Sequence, residues 1–404
     1  MTAGGNEGAG DRAQRAMVGW LCIGVAILEG FDLQVAGIAA PAIAVSLALD
    51  TQALGLFFSA STFGLLFGAI VGGRMADLWG RMEVLAGSCA LFGIASIATG
   101  LATGAETLVA MRVLTGLGLG GALPNLIALT SQSARPGREK RAVAYLYCGV
   151  PVGGVGVSIL GATMPDDWPM LFFIGGALPV LLAMVLWSRR NFAGTADSQR
   201  SGKASVAHAL FGDGRAIPTL LVWTAFFAAL IILYLVLNWL PILLASAGLT
   251  ARHALFAQVL FNGGGFIACL ASAPLFDGRH AWRVAFCAFA AIPCLLFAMA
   301  LPNGTWSSLA LAFLLGAAIL TTQSYLYSIV PAVYPQALGG TGVGAAVAWG
   351  RIGSITGPLI GAWVLQSTNS PASVLTAIIP VAILAGVSAV AIPWSLRGRA
   401  AIAA

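Results

Sequence analysis

The sequence predicts an all-α membrane protein of twelve transmembrane helices arranged as two six-helix halves, and three observations carry that reading. Of 404 residues, 59% are hydrophobic and 8% charged, with a mean hydropathy of +0.92, whereas soluble domains carry about 25% charged residues. The apolar runs are also long. Crossing the hydrocarbon core as a helix takes about 20 apolar residues, and only helices or closed barrels satisfy every backbone polar group there; these runs far exceed barrel strands. The third observation is a one-sided distribution of basic residues between the runs.

In chain order, spans 1 to 6 lie near 17–44, 54–76, 84–104, 107–132, 142–164 and 170–188. The polar stretch "SRRNFAGTADSQRSGKASVAHALFGDGR", residues 188–215, then interrupts the pattern. Spans 7 to 12 follow near 216–245, 253–276, 282–301, 306–332, 340–367 and 373–396. This divides the chain into an N-terminal tail (1–16), an N-terminal half (17–188), a central loop (189–215), a C-terminal half (216–396) and a C-terminal tail (397–404). The turn after span 2, "GGRMADLWGRMEVL", is echoed after span 8 by "SAPLFDGRHAWRV", each with an Asp followed by an Arg, as an internal duplication would leave it.

Basic residues gather in cytoplasmic loops. With both termini inside, every one of the twenty Lys and Arg falls on the cytoplasmic side except Arg252 and the intramembrane Arg112 and Arg351. The net charge of +6 therefore reflects topology and not nucleic-acid binding. The N-terminus lacks a short apolar region with a small-residue cleavage site, so the first apolar run reads as a retained span. No stretch suits a soluble domain. Six cysteines, Cys22, Cys89, Cys148, Cys269, Cys287 and Cys294, are scattered through apolar segments as packing residues. His208, His253 and His280 lie far apart, so neither a metal site nor a cofactor is expected. Gly116, Gly118 and Gly121 satisfy GxGxxG inside an apolar helix that follows no strand, which is helix packing and not a dinucleotide site. Gly149 and Gly153, and Gly353, Gly357 and Gly361, have the four-residue spacing that lets helices approach closely.

Charge inside the spans is the functional signal. Span 1, "LCIGVAILEGFDLQVAGIAA", holds Glu29 and Asp32. Glu29 follows the start of its span by about a dozen residues, or roughly 18 Å, near the bilayer middle. A central charge costs roughly 2.5 to 3.5 kcal/mol on insertion scales, so such residues face a cavity or a partner. Three residues apart, the two acids share one helix face. A carboxylic acid removed from water resists ionisation, a like-charged neighbour adds to this and a cation opposes it. The pair therefore reads as a proton-coupling site, against the plainer reading of a fixed ion pair or a cap at a kink near Gly30. Arg351, roughly 15 Å into span 11, presents a planar fork matched to a carboxylate. It fits substrate binding, or a salt bridge to Glu29 or Asp32 with which substrate competes. Arg112 lies roughly 8 Å from the outer boundary in span 4, within snorkelling distance.

At this point the residues resemble the major facilitator superfamily. Gly73, Asp77, Gly80 and Arg81 match its signature in the loop between spans 2 and 3, with Met82 and Glu83 where basic residues are usual. "RVLTGLGLGGALPN" is similar to its Arg-xxx-Gly pattern through Arg112 and Gly116, which implies that Arg112 organises a helix interface or aids proton release. A closer resemblance, to the aromatic acid:proton symporter family, runs through "EGFDLQVAGIAAPAI", "GLGGALPNLIALTS", "YCGVPVGG", "NWLPILL" and "TGVGAAVAWGRIGSITGPLIGAWV". Many members of that family have Asp-Gly-x-Asp in span 1; here Glu29-Gly30-Phe31-Asp32 keeps a carboxylate at both ends.

The resemblance implies a transporter, not an enzyme: a monomer in a bacterial inner membrane that imports an aromatic carboxylate, such as a 3-(3-hydroxyphenyl)propionate-like acid, with protons. Benzoate or hydroxybenzoate as cargo, and proton-coupled export of drugs or metabolites, are the alternatives. An aromatic cargo needs flat apolar walls and a few polar groups. The candidates are Asn125, Tyr145, Tyr147, Asn238, Trp239, Gln323, Tyr325 and Tyr327. Of these, Gln323 and Asn238 stand out because an unpaired amide so deep is costly, whereas Tyr145 and Trp239 also suit a membrane interface.

Overall fold

A computed structural model describes residues 9–134, 139–190, 210–212, 214–276, 281–334 and 339–402. The described chain is helical. In the N-terminal half the helices are α1 (Ala9–Ser46), α2 (Thr51–Trp79), α3 (Arg81–Gly100), α4 (Ala105–Ser133), α5 (Glu139–Tyr147), α6 (Gly149–Thr163) and α7 (Trp168–Ser188). In the C-terminal half they are α8 (Ala216–Ser246), α9 (Ala251–Ser272), α10 (Ala281–Ala300), α11 (Thr305–Val333), α12 (Gly339–Thr368), α13 (Pro371–Ala377) and α14 (Ile379–Ile402). Most of the central loop, the stretch 135–138, His208, Arg279 and His280 lie outside the described residues.

Two spans read as continuous are broken. Span 5 divides into α5 and α6 at Cys148, whose N–H turns back to the Tyr145 carbonyl. Pro151, two residues into α6, has no N–H to give the Tyr147 carbonyl. Span 12 divides into α13 and α14 just before Pro380 by the same logic. Span 1 begins earlier than its apolar run, because Ala9–Ala16 continues the helix with polar residues. Among the described residues, eleven stretches are long and apolar enough to cross a membrane. The remaining span, span 11, is α12, 30 residues long but diluted by Arg351, Ser354, Thr356 and glycines.

Duplication is plain in the geometry. Helices α2, α3, α4 and α5 begin at 51, 81, 105 and 139, and α9, α10, α11 and α12 at 251, 281, 305 and 339, an offset of 200 throughout. Packing repeats at the same offset. A Cβ on Gly64 would strike the Val113 carbonyl, and one on Gly264 the Phe313 carbonyl. Likewise Gly153 lies against the Ile27 carbonyl of α1, and Gly353 against the Phe227 carbonyl of α8. Without a hydrophobic driving force in lipid, such close backbone approach supplies the dispersion contacts that hold helices together.

With an even number of spans, α1 starts and α14 finishes at one end of the bundle, here the terminal end. At the far end Asp50, Asp167 and Ser370 cap their helices through the N–H groups of Ala53, Met170 and Ser373. The halves are sealed together from the far end to the middle. Gly37 of α1 meets the backbone of Leu237 and Asn238, and Gly55 of α2 meets Ala362 of α12. Ser59 donates to the Ile355 carbonyl at 2.8 Å, and Phe58 meets Trp239 edge-on at 5.1 Å. Gln34 and Asn262 exchange hydrogen bonds, Nε2 to Oδ1 at 3.0 Å and Nδ2 to Oε1 at 2.7 Å. Apolar side chains such as Trp20, Phe286, Val387 and Trp394 cover the outside of the bundle, as a lipid-facing surface requires.

Candidate functional site

The quartet Glu29-Gly30-Phe31-Asp32 sends each side chain to a different neighbour. Three residues on a helix turn through 300°, so Glu29 and Asp32 lie about 60° apart, enough for their surroundings to differ. Gly30 is pressed on the Val150 backbone of α6, and the Phe31 ring fills the space at Gly175 of α7. Asp32 points into the N-terminal half. Glu29 points to the space between the halves, where it interacts electrostatically with Arg351 of α12. The two acids act on each other electrostatically, yet each meets a different arginine.

At the first site, Asp32 is fully buried and Arg112 is 1% exposed. Arg112 Nη1 donates to both Asp32 carboxylate oxygens, at 3.2 and 3.1 Å, and Nη2 to the Asp32 backbone carbonyl at 3.0 Å. The Phe172 and Phe57 rings flank the guanidinium, with centroids 5.8 and 6.0 Å away. Arg112 thus ties α4 to α1 inside one half and does not snorkel, and Arg351 makes no salt bridge to Asp32. Desolvation makes such a pair a poor source of net stability, yet breaking it is expensive because one charge stays behind.

The second site lies at mid-depth. Arg351 is 9% exposed and its Nη1 donates to the Tyr234 hydroxyl of α8 at 2.8 Å. Glu29, Tyr147 and Tyr327 all lie within its electrostatic reach. Among the described residues Glu29 makes no hydrogen bond or close ion pair, and its oxygens are not fully enclosed. Tyr147 and Tyr327, from opposite halves, stack at 5.4 Å with 21° between the rings, and Phe226 meets Tyr327 edge-on at 5.2 Å. The arrangement joins one fixed positive charge, one acid that can gain or lose a proton, and flat aromatic walls.

Other candidates are placed elsewhere. Asn125 Nδ2 donates to the Gly121 carbonyl of its own helix at 2.9 Å and reaches Gly72 of α2 at 3.5 Å. Asn238 donates to the Tyr234 carbonyl at 2.7 Å within the far-end seam, where Trp239 donates to Pro358 at 3.0 Å. Tyr325 packs on Phe276 with centroids 5.8 Å apart, and Tyr145 is exposed. Gln323 is buried with both amide atoms unpartnered. In the turn between α2 and α3, Gly80 has φ +105° and gives its N–H to the Ala76 carbonyl, a conformation that favours glycine. Arg81 opens α3 and Gly73 lies on α2, while the Asp77 side chain is outside the described residues. Glu83 stands in the first turn of α3, where an acid complements the helix dipole. Tyr234 was missed by sequence reasoning. Its signal was a lone hydroxyl in the middle of an otherwise apolar span, which needs a partner there, at the position 200 residues after Gln34.

Residues 22–358 match the Major Facilitator Superfamily. The 3-(3-hydroxy-phenyl)propionate transporter of Escherichia coli (strain K12) is 38% identical over 384 residues, covering 94% of each chain. The 4-hydroxybenzoate transporter PcaK of Pseudomonas putida is 30% identical, covering 92% of this chain and 90% of that one. A solved D-xylose-proton symporter shares the fold with a TM-score of 0.78 over 93% of this chain and 96% of its own, at 14% identity. With twelve spans in two repeated halves, a family match across most of its length and relatives of this identity, the chain belongs to the major facilitator superfamily.

Proposed function

We propose that this protein is a secondary transporter that imports an aromatic carboxylate of the hydroxyphenylpropionate kind together with a proton. The observation that carries this reading is Arg351: a mid-depth guanidinium between the halves, held by a neutral tyrosine hydroxyl, facing an unpaired acid and a stacked pair of aromatic rings. The relatives support the cargo class, since they are named for transport of 3-(3-hydroxy-phenyl)propionate and 4-hydroxybenzoate.

In this scheme the substrate carboxylate docks on the Arg351 fork, and its ring lies against Tyr147 and Tyr327. Glu29 carries the proton. As a carboxylate it competes with substrate for Arg351; once protonated it yields the arginine to the incoming anion, which couples the two ligands at one cation. One proton per monoanion makes the cycle electroneutral. Asp32 and Arg112 act as a fixed brace that keeps α1 seated on α4, while Asn125 and Asn238 serve packing. Both termini and the 189–215 loop are cytoplasmic, so the far end is the outer face of a bacterial inner membrane. The sealed far end then closes the outside, the Tyr147–Tyr327 stack thinly closes the inside, and the halves 17–188 and 216–396 rock about the site. A monomer contains all of these parts.

Uptake into liposomes under an imposed inward proton gradient tests this, with hydroxyphenylpropionates, benzoates and cinnamates as cargo. Accumulation that a protonophore abolishes is expected. Transport of cations or neutral drugs, with every aromatic acid refused, sinks the proposal in favour of an exporter.

A further inference from the structure

Gln323 is left over by this scheme. It is 7% exposed, and neither its Oε1 nor its Nε2 has a hydrogen-bond partner. Among the described residues the other buried amides are at least half spent: Gln34 and Asn262 bond each other, Asn125 and Asn238 bond carbonyls four residues back in their own helices, and Gln258 gives its Nε2 to Gln34 while its Oε1 stays unpartnered. A buried amide unpaired at both ends is costly, and a native chain tolerates one where a ligand completes it.

Its place on α11 follows from its neighbours. Gly316, Leu320 and Ser324 form the face toward α9, against Phe261, Gly265 and Cys269 respectively. Tyr327, two turns beyond Leu320 toward the terminal end, meets Phe226 of α8 and Tyr147 of the other half. Gln323 precedes Tyr327 by four residues, so the two side chains are stacked neighbours on one face, with Cβ atoms about 5–6 Å apart. The orphan amide therefore lies one turn from a wall of the ring site, on the far-end side.

A primary amide offers an acceptor and a donor side by side. A carboxylate would answer only the Nε2 donor and repel Oε1, and a bare ring edge would answer neither. A hydroxyl on the ring answers both, donating to Oε1 and accepting from Nε2. We infer that Gln323 selects acids carrying a ring hydroxyl over the same acids with an unsubstituted ring. This rests on the proposed function and assigns the part of the site that reads the ring substituent.

The test compares uptake of 3-(3-hydroxyphenyl)propionate and 3-phenylpropionate into liposomes by the wild type and by Gln323→Leu. Wild type is expected to favour the hydroxylated acid at least about tenfold in kcat/KM, because a site built to bond a hydroxyl is left unpaired by the analogue. In Gln323→Leu that preference should fall below about threefold, through a higher KM for the hydroxylated acid, with 3-phenylpropionate uptake kept. Thermal unfolding in detergent should be no lower, since an unpaired amide has been removed. An unchanged preference in the variant, a wild type without preference, or equal loss of both acids overturns the inference. Gln323→Met, closer in length, gives the same reading if the leucine variant is not recovered. A wild type that accumulates no aromatic acid overturns the proposed function as well, a result distinct from active transport without discrimination.

Discussion

Glu29 and Asp32 are three residues apart on one helix, both buried and both facing an arginine, yet their partners hold them differently. Around Asp32 every feature is closed: an arginine Nη1 shared between both carboxylate oxygens, a backbone carbonyl bonded to Nη2 of the same guanidinium, two aromatic rings, and no exposure. Around Glu29 the features are open: a cation shared with a tyrosine, a seam between the two halves, and a carboxylate without a bonded partner. The closed site can hold charge but has no vacancy for a ligand. The open site can exchange partners, and that is what coupling a proton to an anion requires. A carboxylate in a membrane helix is thus assigned its work by its neighbours rather than by its depth.

The sharpest way to break this comparison is Asp32→Asn. If Asp32 is a brace, the substitution strands the buried Arg112 charge and costs about 3–5 kcal/mol of stability, read as a large drop in thermal unfolding temperature in detergent and in yield. Normal stability together with lost accumulation would hand the proton to Asp32 and reverse the assignment. Arg351→Lys comes next. It keeps the charge and loses the fork, so hydrogen bonds to a charged group worth about 1.5–3 kcal/mol are forfeited and KM for the acid rises about ten- to a hundredfold. Unaltered affinity would argue against direct carboxylate contact. Glu29→Gln should leave stability unchanged within about 1 kcal/mol and abolish accumulation, which for one proton is about tenfold per pH unit of gradient. Exchange of labelled for unlabelled acid across the membrane should persist. Gradient-driven accumulation by that variant would remove Glu29 from the mechanism.

What the sequence made legible was whatever depends on one helix at a time. Spans are set by apolar length, so twelve were readable, and Arg351 and Gln323 were conspicuous because deep polar groups are expensive. Quantities that depend on two helices were hidden. Whether Asp32 meets Arg112 is decided by the rotation of α1, which the contacts of Gly30 with Val150 and Phe31 with Gly175 fix. The division of span 5 turned on Pro151, and Tyr147, whose carbonyl that proline cannot serve, also lines the site. Tyr234 was invisible as a partner of Arg351 until α8 and α12 were packed by Gly353 and Gly357 against Phe227 and Ile231.

The smallest effect concerns the seam that keeps the open site open on one side only. Gln34 and Asn262 join the halves through two reciprocal hydrogen bonds, and Gln258 adds a third to the Gln34 oxygen at 3.2 Å. All three residues are buried. In Gln34→Leu these bonds vanish only from the state in which the far end is sealed, so that state loses about 1 kcal/mol relative to its outward-open counterpart. The equilibrium should shift about fivefold toward far-end opening. Spin labels at Asp50 and Ala247, both exposed at the far end and in different halves, would read this as a larger long-distance population. Brace and coupling site should be untouched, so stability is expected to stay near wild type while the rate of exchange changes. An unaltered distance distribution would show that the glycine contacts of Gly37 and Gly55 hold the seam alone, and that the amide pair serves only to satisfy its own buried groups.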